Sequence, residues 1–329
     1  MKKKFISLLA IMAIPLSTLL TGCNNKVSIG ILQPVQHAAL DAAREGFVKG
    51  LADNGYKDIT ITYRNAGGND ADLNTYAKDL ADTSKLLLGI GTGATQALKG
   101  AEDNAGYSKP LLFTAVTDPV EAGLVKTKEN TEGFVCGTTD ANPVEEQIAL
   151  IKEYNPDATK VGIMYTVTEV NSKVQADQAK VAIQNAGLAA EIKTCNNSSD
   201  IKATALALVD AGCDAIYIPT DNNIAANMNA VKEAAASGTH QALIVCGEEN
   251  MLKNGGHVTL SIDYYNLGYA TGKMAAQILK GEKKTTDFPV VPVAASECSY
   301  VYSSTNLQSA GMTLPESMLT AHTWKDIVA

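Results

Sequence analysis

Two short apolar, β-branched runs stand about half a chain apart, at 26–32 (KVSIGIL) and 160–165 (KVGIMY). Runs of this length and composition read as buried strands. After the first comes a turn, Gln33-Pro34-Val35-Gln36-His37. Leu40, Ala43, Phe47 and Leu51 then recur at helical spacing as far as Asn54-Gly55, a left-handed stop. Residues 59–63 alternate like a strand, 64–70 form a polar loop, 72–82 are helical and 86–90 are a buried strand. Gly91-Thr92-Gly93 turns into a helix over 94–104, and a strand at 110–115 ends in Val116-Thr117-Asp118-Pro119.

The second half repeats the plan. Asn142-Pro143-Val144-Glu145 has the order of a cap, a Pro at the first helical position and an early Glu. Strands are expected at 161–165, 189–194, 215–218 and 243–245, and helices at 171–186, 199–211 and 223–236. Ile218 occupies the place in this half that Ile90 occupies in the first. Alternating βα units of this length build parallel sheets covered on both faces. The expected class is α/β, with two doubly wound parallel-sheet lobes; the competing reading is one large sheet. A strand at 258–262, a helix at 264–280 and a weakly patterned tail at 288–329 remain after both repeats, which implies that the chain crosses back. The lobes are accordingly expected at 23–140 plus 264–288 and at 141–263 plus 289–329. A groove between two lobes is a usual place for a small ligand.

Composition narrows this. The chain has 329 residues, 46% apolar and 19% charged, with a net charge of −8. That balance argues against nucleic acid as a partner. The first 22 residues differ from the rest: Met1-Lys2-Lys3-Lys4, an apolar stretch at 5–20 broken by Pro15, then Leu20-Thr21-Gly22-Cys23. This reads as a secretory signal, and the small residue before Cys23 resembles a bacterial lipobox. On that reading Cys23 becomes a diacylated N-terminus, Asn24-Asn25 is a tether, and the protein is extracytoplasmic and held to the cell membrane by lipid. The plainer readings are an ordinary leader or a short membrane anchor. Cys136, Cys195, Cys213, Cys246 and Cys298 have no CxxC or metal-ligand spacing, and a disulfide among them is left open. His37, His240, His257 and His322 are scattered, so no metal site is expected.

In open parallel sheets, ligands sit beyond the carboxyl ends of the strands. That rule selects six turns: 33–37, 91–95, Thr117-Asp118, 166–172, Thr220-Asp221-Asn222 and Glu248-Glu249. Free N–H groups at the helix starts, 92–95 and Asn171-Ser172, suit a ligand carboxylate. Asp118, Asp221 or Glu248 would take an ammonium. The inventory fits a zwitterion such as an amino acid. The same residue types are ordinary helix caps, and His37 reads as a partly exposed loop histidine rather than a base. Gly89-Ile90-Gly91-Thr92-Gly93 lacks the GxGxxG spacing, and no phosphate-loop, nucleophile-elbow or HExxH pattern occurs. Adjacent Glu248-Glu249 cannot flank one glycosidic bond. No catalytic residue and no cofactor are expected.

The set Gly91-Thr92-Gly93-Ala94, Val116-Thr117-Asp118-Pro119-Val120, Pro219-Thr220-Asp221-Asn222 and Ile262-Asp263-Tyr264-Tyr265-Asn266-Leu267-Gly268 resembles the ABC-transporter substrate-binding lipoproteins of the TrpX-like, tryptophan/tyrosine uptake family. Leu150-Ile151-Lys152 with Pro156-Asp157-Ala158 is similar too. The resemblance covers the chain after Cys23. It implies a type I periplasmic-binding-protein fold with a three-crossover hinge, a monomeric, non-catalytic receptor and delivery of the ligand to permease subunits. It places the pocket at Thr92, Ala94, Thr117, Asp118, Asn171, Ser172, Thr220, Asp221, Asn222, Glu248 and Asp263, with Gln36 and His37 nearby. Gly93 departs from the Pro that members often carry. Tyr165, Tyr264 and Tyr265 are candidates for an aromatic wall or for core. A sensor role, or a nucleoside or sugar cargo, are the alternatives.

Overall fold

A computed structural model describes residues 27–327 apart from Asn130, Glu132, Thr239 and Val291. The expected leader and Cys23 lie outside the described residues. The first half forms strands β1 (Ser28–Gln33), β2 (Thr60–Asn65), β3 (Leu86–Ile90), β4 (Leu111–Thr114) and β5 (Val135–Gly137). They make one sheet in the order β2-β1-β3-β4-β5, every pair parallel. Helices α1 (Ala38–Asp53), α2 (Asp70–Thr83) and α3 (Thr92–Ala105) cover its faces.

Past α4 (Val144–Tyr154) come β6 (Lys160–Thr166), α5 (Val170–Asn185), β7 (Ala189–Cys195), α6 (Ile201–Asp210) and β8 (Ala215–Ile218). Next are α7 (Asn222–Ala225), α8 (Met228–Ser237), β9 (Leu243–Cys246), a 3₁₀ turn (Glu249–Asn254), β10 (Val258–Ser261) and α9 (Tyr264–Leu279). The tail adds β11 (Ser299–Tyr302), α10 (Ser304–Ser309), α11 (Glu316–Ala321) and β12 (Trp324–Asp326). The second sheet runs β12-β11-β10-β9-β8-β6-β7 and is parallel except between β10 and β11. The two-sheet expectation holds, and the single large sheet is excluded.

Three connections pass between the sheets: β5 to α4, β10 to α9, and the stretch before β11. The last leaves the first lobe only after Val290 N–H has bonded Lys128 O (2.7 Å) and Thr131 Oγ1 has bonded the carbonyls of Thr285 and Phe288. Helix α9 returns to the first lobe and lies on α1 with almost no gap. A Cβ built on Gly268 would stand 1.9 Å from Ala43 O, and one on Gly46 2.0 Å from Tyr265 O. Gly50 (2.4 Å from Tyr269 O) and Gly272 (2.3 Å from Phe47 O) are nearly as tight. Only glycine permits backbones this close. Ala275, Ala276 and Tyr264 of α9 enter the core formed by Ile29, Ile31, Ala43 and Phe47.

Two local expectations need correction. Asn142 does not cap α4: Pro143 takes the cap position, and Asn142 instead accepts Ile262 N–H (3.1 Å) and donates to Asp140 O. It thereby ties the first connection to the second. The helix expected at 223–236 is broken into α7 and α8, because Asn227 leaves the helical conformation. All five described cysteines are free thiols.

Candidate binding cleft

The carboxyl ends of both sheets face each other. Between them lies a narrow cavity of about 10 Å³. Its polar lining is His37, Asp140, Thr220, Asp221, Asn222 and Glu248, and its apolar lining Leu40, Ala225, Met251 and Tyr264. Among the described residues, polar side chains meet directly across the lobes at His37 Nε2 with Asn222 Oδ1 (3.1 Å) and at Thr117 Oγ1 with Thr220 Oγ1 (3.2 Å).

Asp140, which sequence reasoning missed, sits on the first connection. It accepts Thr117 Oγ1–H (2.9 Å) and Tyr264 O–H (2.7 Å), joining a first-lobe turn to the head of α9. Its position at an expected lobe boundary was the available signal. Glu169 was missed as well, although it lies in a selected turn. Its carboxylate accepts the backbone N–H groups of Asn222 (2.9 Å) and Asn223 (2.8 Å) and Asn222 Nδ2–H (2.7 Å). Gln175, one turn into α5, accepts Thr220 N–H (2.7 Å) through Oε1.

Four acids crowd this region without a lysine or arginine among the cavity residues. Burial pushes the carboxyl of Asp140 up. Burial raises the carboxyl of Asp221, and burial with repulsion from Asp221 raises that of Glu169. Burial takes Glu248 to about 7. His37 is shifted the other way, again by burial, towards the neutral imidazole.

Several buried polar atoms have no partner: His37 Nδ1, Glu248 Oε1, Thr92 Oγ1 and Gln175 Nε2. An unsatisfied buried group costs about 1–3 kcal/mol. Thr92 opens α3 beside Gly91, whose Cα faces Asn222 across the cleft, and Gly91 has a positive φ of 85°. Of these, His37 and Glu248 line the cavity, while Thr92 and Gln175 belong to the turns and helix starts beside it.

The expected site residues separate into groups. His37, Thr220, Asp221, Asn222 and Glu248 line the cavity. Thr117 bridges the lobes, and Asn171 and Ser172 buttress the second-lobe turn through Thr220 O (2.7 Å) and Asp221. Asp118 is drawn away by Lys128 (2.9 Å) and by the N–H groups of its own turn. Gln36 is exposed and bonds Asp41. Asp263 is exposed and caps α9 through Asn266. The Ala94 side chain is in the first-lobe core. Asp221 reaches the cavity, but Thr166 N–H (2.6 Å), Thr166 Oγ1–H (2.9 Å) and Ile224 N–H (2.9 Å) already occupy its oxygens. Of the three tyrosines, only Tyr264 lines the cavity; Tyr265 is 38% exposed and Tyr165 packs on the second-lobe core.

A family model described as ABC transporter substrate binding protein matches residues 28–324. A tyrosine-binding protein of Clostridioides difficile (strain R20291) is 36% identical over 281 residues, 84% of this chain and 79% of its own. An ABC domain from Streptococcus pneumonia, solved in complex with L-Trp, superposes with a TM-score of 0.84 at 34% identity, covering 92% of this chain and 100% of that one. A ligand-free, open substrate-binding protein with adhesive properties from Clostridium difficile reaches 0.66 at the same 34% identity, over 91% and 99%. At equal identity the higher score goes to the ligand-bound relative, in keeping with the direct bridges across this cleft.

Proposed function

The chain belongs to the family of ABC transporter substrate-binding proteins and has their type I periplasmic-binding-protein fold, and from that premise we propose that it captures an aromatic amino acid between its lobes. The observation that carries the reading is the set of unpartnered buried atoms at the cleft. Glu248 Oε1 is the acceptor for the ligand's ammonium, a role that Asp221 with its filled oxygens is poorly placed to play. Thr92 and the first N–H groups of α3 receive the carboxylate, where the helix end adds partial positive charge. Leu40, Ala225, Met251 and Tyr264 form the apolar wall for the ring. The relatives that carry tyrosine or tryptophan in their descriptions support an aromatic cargo.

The protein works outside the cytoplasm as a monomer, is anchored through Cys23, and hands its cargo to the permease in the closed form. Among the described residues no helix is long and apolar enough to cross a membrane.

Isothermal titration of ligand-stripped protein with L-tyrosine, L-tryptophan, ribose and adenosine tests the cargo. The aromatic amino acids should bind and raise the melting temperature by mass action, about 2.7 kcal/mol of stabilisation at a hundredfold excess over Kd. Binding of ribose or adenosine with neither amino acid would overturn the assignment.

A further inference from the structure

Resting on the amino-acid reading above, we infer that one imidazole couples ammonium recognition to lobe closure: His37 latches the lobes through Nε2–H and receives the ligand's ammonium at Nδ1.

The bond directions follow from one chain of contacts. Both oxygens of Glu169 accept backbone N–H groups of the second lobe. The Asn222 amide therefore turns its Nδ2 towards Glu169 (2.7 Å) and its Oδ1 towards His37. A carbonyl oxygen only accepts, so His37 Nε2 carries the hydrogen. The neutral ring then has its lone pair at Nδ1, which is buried and unpartnered. Glu248 Oε1, unpartnered too, comes to the same cavity from the other lobe. Two acceptors from opposite lobes suit a group that donates several hydrogen bonds at once, as a primary ammonium does. Such a group draws the lobes together as it binds. Burial favours the neutral ring. The nearby Asp41 is occupied by Gln33, Gln36 and Arg44.

The test compares L-tyrosine with its des-amino analogue, by titration calorimetry, on wild type, His37→Gln and Asn222→Ala. Glutamine carries its amide near the place of Nε2, so it keeps a donor for Asn222 and removes the Nδ1 acceptor. His37→Gln should weaken L-tyrosine about 10- to 100-fold and leave the analogue within about twofold. Asn222→Ala removes the latch and keeps the acceptor, so L-tyrosine, which closes the lobes, should weaken about 3- to 10-fold, and the analogue, which does not, should change less than about twofold. Small-angle scattering should show wild type compacting with L-tyrosine and not with the analogue. Equal loss of both ligands in His37→Gln, or compaction by the analogue alone, overturns the inference while leaving the amino-acid reading intact. Failure of wild type to bind any aromatic amino acid overturns both.

Discussion

Replacing Gly268 by alanine should destabilise the protein and weaken ligand binding together. Taken as helix chemistry alone, the change is favourable, because alanine gains about 1 kcal/mol over glycine inside a helix. The packing reverses the sign. The new Cβ would sit 1.9 Å from Ala43 O and 2.6 Å from Ala43 C, against 3.4 Å or more for ordinary contact. The obstacle is backbone, so no rotamer change relieves it, and α1 and α9 must part by more than about 1 Å. Overpacking of this kind costs about 1–3 kcal/mol, and the tight contacts of Gly46, Gly50 and Gly272 on the same seam loosen with it. Set against the helix gain, a net loss of up to about 2 kcal/mol is expected in urea unfolding. Because Tyr264 begins α9 and bonds Asp140 at 2.7 Å, calorimetry should show weaker amino-acid binding as well. The control is Gly100→Ala: it lies inside α3 with nothing within 4 Å of its added Cβ, so it should gain about 1 kcal/mol. A Gly268→Ala protein as stable as wild type, with unchanged affinity, would refute the reasoning.

Two further predictions concern buried titratable groups. His257 is 3% exposed, accepts Ile244 N–H at Nδ1 (3.0 Å), and is pushed down to about 4 by burial and the charge of Lys232. Its folded value lies below its unfolded one near 6.5, so the unfolded chain binds the extra proton, and stability falls as pH drops from about 6.5 to 4. The loss over that window is about 3 kcal/mol; His257→Asn should flatten the urea-unfolding slope between pH 7 and 4.5 by one proton, and identical slopes would count against this role. Glu248 shows the opposite sign, because burial raises it to about 7. Its contribution is present below its unfolded value and lost as pH rises through about 7, so at pH 8 the ionised form costs up to about 3 kcal/mol. Glu248→Gln should therefore melt higher than wild type at pH 8 in the absence of ligand while binding L-tyrosine at least about 10-fold more weakly; a variant that melts lower and binds normally would remove Glu248 from the site.

The lobes were legible because strand period and helix period are local. The apolar runs at β1, β3, β6 and β8 and the stops at Gly55, Gly187 and Gly212 state themselves within a few residues. The cleft was legible as a set of turns for the same reason, since every parallel strand delivers its next turn to one edge. Partnership within those turns was not. Nothing near Asp118 announces that Lys128 will claim it, and nothing near Asp221 announces Thr166, which arrives from another strand. Asp140 gains its meaning from Thr117 and Tyr264, residues on two other segments. The glycines of α1 and α9 were equally silent, because a small residue in a helix reads as a weak former until the neighbouring backbone is known.

The interleaving of the chain sets an order of events during synthesis. The face of α1 that carries Ala43 and Phe47 is finished by α9, and α9 is made only after β6 to β10. The first lobe to be translated therefore cannot close its core until most of the second has been made. The central strands of the second sheet, β6 to β10, come from one unbroken stretch and can pack first. A nascent chain halted before Tyr264 would hold a half-covered apolar helix, the kind of surface that chaperones retain and that aggregation exploits.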